Sequence, residues 1–110
     1  LVVFLCYSGK WDILQAAQRL MKDNAQRIAS GENVEITEDM FSKYLSTSDI
    51  PDPDLLIRTS GEERISNYML WQTAYTEYYF TDVLWPDFDK KDLDKALVEF
   101  KSRKRRFGGV

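Results

Sequence analysis

The stretch DLLIRTSGEERISNYMLWQTAYTEYYF, Asp54 to Phe80, holds the residues on which the reading of the fold turns. Leu55, Leu56 and Ile57 form a short apolar run. Upstream of it, Ser48, Asp49, Pro51, Asp52 and Pro53 make a turn-rich connection, because each proline disfavours helix at the residue before it and aspartate readily bonds its own backbone. The run is therefore a predicted strand. Past Thr59 the segment Ser60 to Ser66 is polar and contains Gly61, so it leaves the carboxyl end of that strand as a loop. In open α/β sheets, ligands bind at that end. Ser66 or Asn67 can cap a following helix through Met69, Leu70, Trp71 and Ala74, and Thr76 to Phe80 is aromatic enough for a further short strand.

Toward the N-terminus, Leu1 to Cys6 is continuously apolar and reads as a strand, which Ser8 and Gly9 break. A helix from about Lys10 to Ala29 follows. Ile13, Leu14, Ala17, Leu20, Met21, Ala25 and Ile28 recur at helical spacing, Gln15, Arg19, Lys22, Asp23 and Gln26 fall opposite, and Gly31 sits where a C′ residue belongs. Thr37 can cap a short second helix that carries Glu38 and Asp39 in its first turn, shows Met40, Phe41 and Leu45 on its apolar side, and ends before Thr47. Strand, helix and strand over this length predict a βαβ unit in which residues 1–6 and 55–57 run parallel with a right-handed crossover. Downstream, Val83 to Phe88 is an apolar loop around Pro86. Asp89 is a good N-cap for a last helix with Leu93, Ala96, Leu97 and Phe100 on one face, ended by the basic run and by Gly108 and Gly109. The expected class is α/β, a partial, open, mostly parallel sheet flanked by helices. A five-residue apolar strand buried on both faces needs neighbours, and it opens the chain without Met, so part of the sheet is expected to be encoded upstream.

The 110 residues, 44% hydrophobic and 30% charged, fit one ordinary globular domain and exclude a disordered tail or a collagen-like fibre. The longest apolar stretch, Leu1 to Tyr7, is far short of the roughly 20 residues that cross a bilayer, and no charged segment precedes it as in a signal peptide. With one cysteine, Cys6, no internal disulfide forms, which points to the cytoplasm. Histidine is absent, so zinc fingers and Ser-His hydrolases are excluded. Lys101, Arg103, Lys104, Arg105 and Arg106 concentrate five positive charges in six residues, so the net charge of −3 leaves the rest of the chain strongly acidic. That balance argues against nucleic-acid binding by the body of the domain.

Arg58 is the first polar side chain at the exit of the second strand, and Arg64 and Ser66 lie in the loop that follows. Two guanidinium forks can grip phosphoryl groups bidentately, a hydroxyl adds a donor, and a helix starting at Ser66 would add backbone N–H groups and the positive end of a dipole. A phosphate or diphosphate is the ligand class this composition suits. The same residues equally fit an internal arrangement in which Arg58 pairs with Glu62 or Glu63 and Ser66 only caps. Neither a Walker A loop nor a GxGxxG is present.

The run DLLIRTSGEERISN from Asp54 to Asn67, followed by YMLWQTAYTEYYFTDVLWPDF from Tyr68 to Phe88 and RRFGG from Arg105 to Gly109, closely resembles the C-terminal part of cis-prenyltransferases of the undecaprenyl diphosphate-forming kind. The first half is looser: CYSGKWDI from Cys6 to Ile13 resembles a family segment that begins Asn-Tyr-Gly-Gly-Arg, from which Cys6, Ser8 and Lys10 depart. The resemblance implies an enzyme that condenses isopentenyl diphosphate with an allylic diphosphate such as farnesyl diphosphate to make undecaprenyl diphosphate, a cell-wall lipid carrier precursor. It implies that Arg58, Arg64 and Ser66 bind the diphosphate of isopentenyl diphosphate, with Glu62 in a supporting place. Glu77 matches a carboxylate associated with Mg²⁺, the implied cofactor. Arg106, Phe107 and Gly108 match an R-x-G element that reaches across a homodimer toward the partner's substrate diphosphate, so Arg106 and Gly108 join the implied substrate site.

The aromatic segment with Trp71, Tyr75, Tyr78, Tyr79, Phe80 and Trp85 is expected to serve core and dimer contacts. The family's catalytic Asp lies in a His-Gly-Asn-Gly-Arg type motif near the N-terminus, which nothing in these residues resembles. The chain is accordingly expected to be the C-terminal part of a single domain, to supply the isopentenyl diphosphate site and to be inactive alone. Membrane contact is expected only through the lipid product, and the alternative role is a non-catalytic subunit that completes a partner's active site.

Overall fold

The computed structural model describes residues 1–109 as a series of α1 (Gly9–Ala29), α2 (Glu38–Ser42), β1 (Leu55–Arg58), β2 (Glu77–Phe80) and α3 (Lys90–Ser102), with a 3₁₀ turn at Trp85–Asp87. They form two compact units. The first comprises Leu1–Pro51 with Asn67–Trp71, and the second Asp52–Ser66 with the chain from Gln72 onward. The α/β class holds, with a small parallel sheet and helices.

In the first unit α1 begins where Ser8, in extended conformation, accepts a hydrogen bond from the Trp11 N–H at 3.2 Å. It ends as the sequence predicts. Gly31, at φ +84°, donates its N–H to the Ile28 carbonyl, and Glu32 donates to that of Arg27, the pair of bonds of a Schellman motif. The buried face differs from the predicted one. Gly9, Asp12, Ala16, Leu20 and Asn24 form the buried stripe, whereas Leu14, Met21 and Ile28 are exposed. These three lie on a face roughly 120° away, which nothing covers among the described residues. Gly9 faces a close approach: a Cβ there would sit 2.8 Å from Leu70 Cγ and 2.9 Å from the Asn67 carbonyl oxygen. Thr37 caps α2 as expected, accepting from Met40 N–H at 3.1 Å, and Leu45 beyond it is buried.

Residues 1–6 form no strand, and a strand exists only through a ladder of backbone hydrogen bonds, which they lack among the described residues. Phe4 and Tyr7 instead meet Tyr68 in an edge-to-face ring cluster with centroids 4.9 to 5.8 Å apart. The predicted βαβ unit from residues 1–6 to 55–57 is thus replaced. In the second unit β1 pairs in parallel with β2, Leu55 opposite Glu77 and Arg58 opposite Phe80. The helix expected from Ser66 or Asn67 is absent as well. Ser66, Asn67 and Met69 adopt φ of +51°, +61° and +46°, left-handed values that an α-helix of L-residues cannot accommodate, so residues 66–75 form turns. Asn67 caps α1 from outside: its Oδ1 accepts from Lys10 N–H at 2.9 Å and its Nδ2 donates to Ser8 Oγ at 2.8 Å.

The last helix has a full capping box. Asp89 Oδ1 accepts from the N–H groups of Lys91 and Asp92, and Asp92 Oδ2 accepts from that of Asp89. It stops at Ser102, before the basic run is complete, and Arg103 continues in extended conformation. No helix among the described residues is long and apolar enough to cross a membrane.

Candidate functional site

At the carboxyl end of β1, Arg58 is the last strand residue and its carbonyl accepts from Thr81 N–H at 3.0 Å. The loop that follows is fixed by the segment after β2. Ser60 donates its N–H to the Val83 carbonyl at 2.8 Å and Gly61 donates to that of Thr81 at 3.0 Å, with Ser60 and Gly61 both at positive φ. Those backbone donors are therefore taken by the protein. What the loop offers outward is side chains: among the described residues nothing pairs with the Arg58 guanidinium, and Ser66 is exposed. Arg64 forms an ion pair with Glu62, the arginine side chain mostly in water and the glutamate half-buried. Of the two internal pairings considered for Arg58, neither forms; it is Arg64 that holds Glu62. Without a helix at Ser66, the helix-dipole component expected for this site is missing.

Glu77, Arg106 and Gly108 lie elsewhere in the same unit. Glu77 sits opposite Leu55 at the start of the strand pair, three residues from Phe80, the partner of Arg58, hence about 10 Å along the strand from it. Its Oε2 accepts from Arg103 Nη1 at 3.3 Å. Arg103 also donates to the Tyr78 carbonyl at 2.6 Å and to Glu99 Oε1 at 2.5 Å. The Glu99 hydrogen bond is the largest cause that holds the Arg103 guanidinium protonated beyond its ordinary range; burial opposes it and Glu77 adds to it. Arg106 is exposed in a turn closed by the Gly109 N–H donating to its carbonyl at 2.7 Å. A Cβ on Gly108 would lie 3.4 Å from the Tyr75 ring, which places the turn beside the residues that precede β2. Of the residues singled out in the sequence, Arg58 thus ends β1 with Arg64 and Ser66 in the loop that follows, while Glu77 starts β2 and Gly108 lies beside Tyr75 just before it.

For the Mg²⁺ implied by the resemblance, Glu77 supplies one carboxylate, partly engaged by Arg103, and no group of three or more His, Cys, Asp or Glu residues gathers among the described residues. Mg²⁺ bound through substrate phosphates keeps several waters and needs only one or two carboxylates. The donor set fits that supporting role and no dedicated cage.

Sequence reasoning missed Asp54, Arg103 and Arg105. Arg105 Nη1 donates to Asp54 Oδ1 at 2.5 Å, and both arginines stand in a run that charge counting treats as one block.

Comparison with known proteins follows the same residues. The family model described as "Putative undecaprenyl diphosphate synthase" matches residues 1–108. A ditrans,polycis-undecaprenyl-diphosphate synthase ((2E,6E)-farnesyl-diphosphate specific) of Coxiella burnetii is 54% identical over 110 residues, 98% of this chain and 45% of that protein. An isoprenyl transferase of Neisseria meningitidis serogroup A is 60% identical over 102 residues, 93% of this chain and 38% of that protein. The chain therefore spans less than half the length of these relatives. Among solved structures, lavandulyl diphosphate synthase from Lavandula x intermedia superposes with a TM-score of 0.80 at 41% identity, over 94% of this chain and 44% of that one. A probable undecaprenyl diphosphate synthase from Campylobacter jejuni gives 0.78 at 30% identity, over 94% and 45%. With a family match along nearly the whole sequence and a similar backbone in two solved relatives, the chain belongs to the undecaprenyl diphosphate synthase family of cis-prenyltransferases.

Proposed function

We propose that the full-length protein is a cis-prenyltransferase that condenses isopentenyl diphosphate with an allylic diphosphate, farnesyl diphosphate in the first round, to build undecaprenyl diphosphate. These residues form the C-terminal part of its single domain and turn over no substrate alone. The observation that carries the reading is Arg58, a guanidinium without a partner among the described residues at the strand end where α/β proteins bind ligands, on a loop fixed by the segment after β2. Relatives named for this reaction match the chain throughout.

Arg58 binds the isopentenyl diphosphate head through its two-pronged donor face. Arg64 joins by exchanging Glu62 for a phosphoryl oxygen, a cheap exchange because an ion pair this exposed contributes little. Ser66 adds a hydroxyl donor. Held so, the isopentenyl double bond is aimed at the allylic carbon: the new C–C bond forms as the C–O bond to the allylic diphosphate breaks, and a proton is lost to leave a cis double bond. Positioning is the main contribution of these residues. Mg²⁺, when bound, offsets charge on diphosphate, and Glu77 is the carboxylate of this chain that faces that role.

Gly108 lies beside Tyr75, just before β2, whereas Arg58 ends β1, which supports a homodimer in which Arg106 and Gly108 approach a diphosphate held by the second copy. The lipid product is the sole link to a membrane. The test is steady-state kinetics of the full-length protein: Arg58→Ala should raise KM for isopentenyl diphosphate by about 10- to 100-fold, the scale of a lost charge-assisted bond. KM for farnesyl diphosphate should change much less; equal damage to both refutes the assignment.

A further inference from the structure

Contacts around the starts of both strands converge on Arg105. Its Nη1 donates to Asp54 Oδ1 at 2.5 Å, just before β1, and its Nη2 to the Tyr75 carbonyl at 3.0 Å, shortly before β2. One planar group therefore ties the C-terminal segment to both chain entries. The guanidinium lies 4.4 Å from the Phe107 ring centroid and 5.9 Å from that of Phe100, with only 20% of the side chain exposed. Lys104 and Arg106, on either side, are exposed. Immediately after Arg105 the backbone turns sharply: Phe107 adopts φ +47° and Gly108 +81°, and the Phe107 ring rests 6.2 Å from that of Tyr75. A left-handed aromatic residue is held only where its surroundings over-determine it, and the Arg105 stack together with Tyr75 does so here.

We infer that Arg105, paired with Asp54, is a positioning residue that fixes the direction of the Arg106–Gly108 turn and so aims Arg106 at a diphosphate. The inference rests on the role proposed above for Arg106. Arg105 spends its two Nη donors to Asp54 and Tyr75 and its flat face on the protein, its Nε being buried without a hydrogen-bond partner among the described residues, and it acts through its neighbour. A lysine at this position keeps the charge but neither bonds Asp54 and Tyr75 together nor stacks as a plane, so it should not replace arginine.

The test uses the full-length protein with isopentenyl diphosphate and farnesyl diphosphate as substrates. It compares kcat/KM for isopentenyl diphosphate in Arg105→Gln, Arg106→Ala and the double variant, with thermal unfolding alongside. Each single change should cost about 10- to 100-fold, the scale of a misplaced binding group, and the double variant should fall within about threefold of Arg106→Ala because the two residues act as one. Arg105→Lys should stay impaired. Should Arg105→Gln fail to fold, Asp54→Ala removes the acceptor of one prong and leaves the stack, and its loss, about tenfold, should likewise vanish on an Arg106→Ala background.

Wild-type kinetics for Arg105→Gln beside an impaired Arg106→Ala overturns the clamp and leaves the proposed function standing. Losses that multiply in the double variant also overturn it, since independent effects multiply. Wild-type kinetics for Arg106→Ala refutes the role of Arg106 and the clamp with it.

Discussion

Asp12, in the first turn of α1, is a carboxylate almost out of water, 1% exposed. It accepts hydrogen bonds from the Ser46 N–H at 2.9 Å, the Ser46 hydroxyl at 2.8 Å, Gln15 Nε2 at 2.9 Å and the Tyr7 hydroxyl at 3.0 Å. Burial is the largest single influence and pushes its pKa up; the hydrogen bonds from Ser46, Gln15 and Tyr7 together outweigh it and hold the group below the ordinary 3.8. The folded state thus favours the ionised form more than the unfolded chain does. Its stabilisation is complete above the ordinary aspartate range and is lost as pH falls through the lowered folded value. Asp12→Asn should destabilise the protein by about 1–3 kcal/mol at neutral pH, and urea unfolding between pH 7 and pH 3 should show a shallower loss in acid than the parent shows. An unchanged acid slope contradicts this. No feature of the local sequence marks Asp12, because Ser46 lies 34 residues away and meets it only once α1 and the segment after α2 pack. Asn67 misled for the same reason: a capping residue it is, but of a helix that starts 58 residues earlier. Arg58 was legible because its place at a strand end follows from LLI directly before it.

Elements whose ends are set by local chemistry were readable, and those that need a distant partner were not. Thr37 and Asp89 cap the helices the sequence assigned to them, since a side-chain oxygen bonding an N–H two or three residues on needs nothing from the rest of the fold. Gly31 closes α1 in the same local way. Gly31→Ala meets no neighbouring atom, so its cost is confined to the left-handed φ, about 1 kcal/mol of stability by denaturant unfolding. Gly9→Ala drives a Cβ into Leu70 and the Asn67 carbonyl and should cost more than Gly31→Ala in the same measurement; equal costs would mean the contact yields freely. Residues 1–6 have every strand-like property except a neighbour, and the segment 66–75 has helical spacing but a backbone bent by three left-handed residues, neither of which composition can reveal.

At the scale of the whole molecule, the start of the strand pair, where Glu77 sits opposite Leu55, is about 10 Å along the strand from Arg58 at its carboxyl end, and Gly108 lies beside Tyr75, just before that start. The dimer proposed above puts Arg58 of one copy and Arg106 of the other at a shared ligand. The most direct test is complementation in the full-length protein. Arg58→Ala and Arg106→Ala, each strongly impaired alone, are co-expressed with different affinity tags, and the doubly tagged species is isolated and assayed for isopentenyl incorporation. A mixed dimer then holds one site with both arginines intact, so activity should return to about half the parent's per dimer. A mixed dimer no more active than the two single variants would show that Arg58 and Arg106 serve the same chain, and the account of a site shared between copies would be wrong.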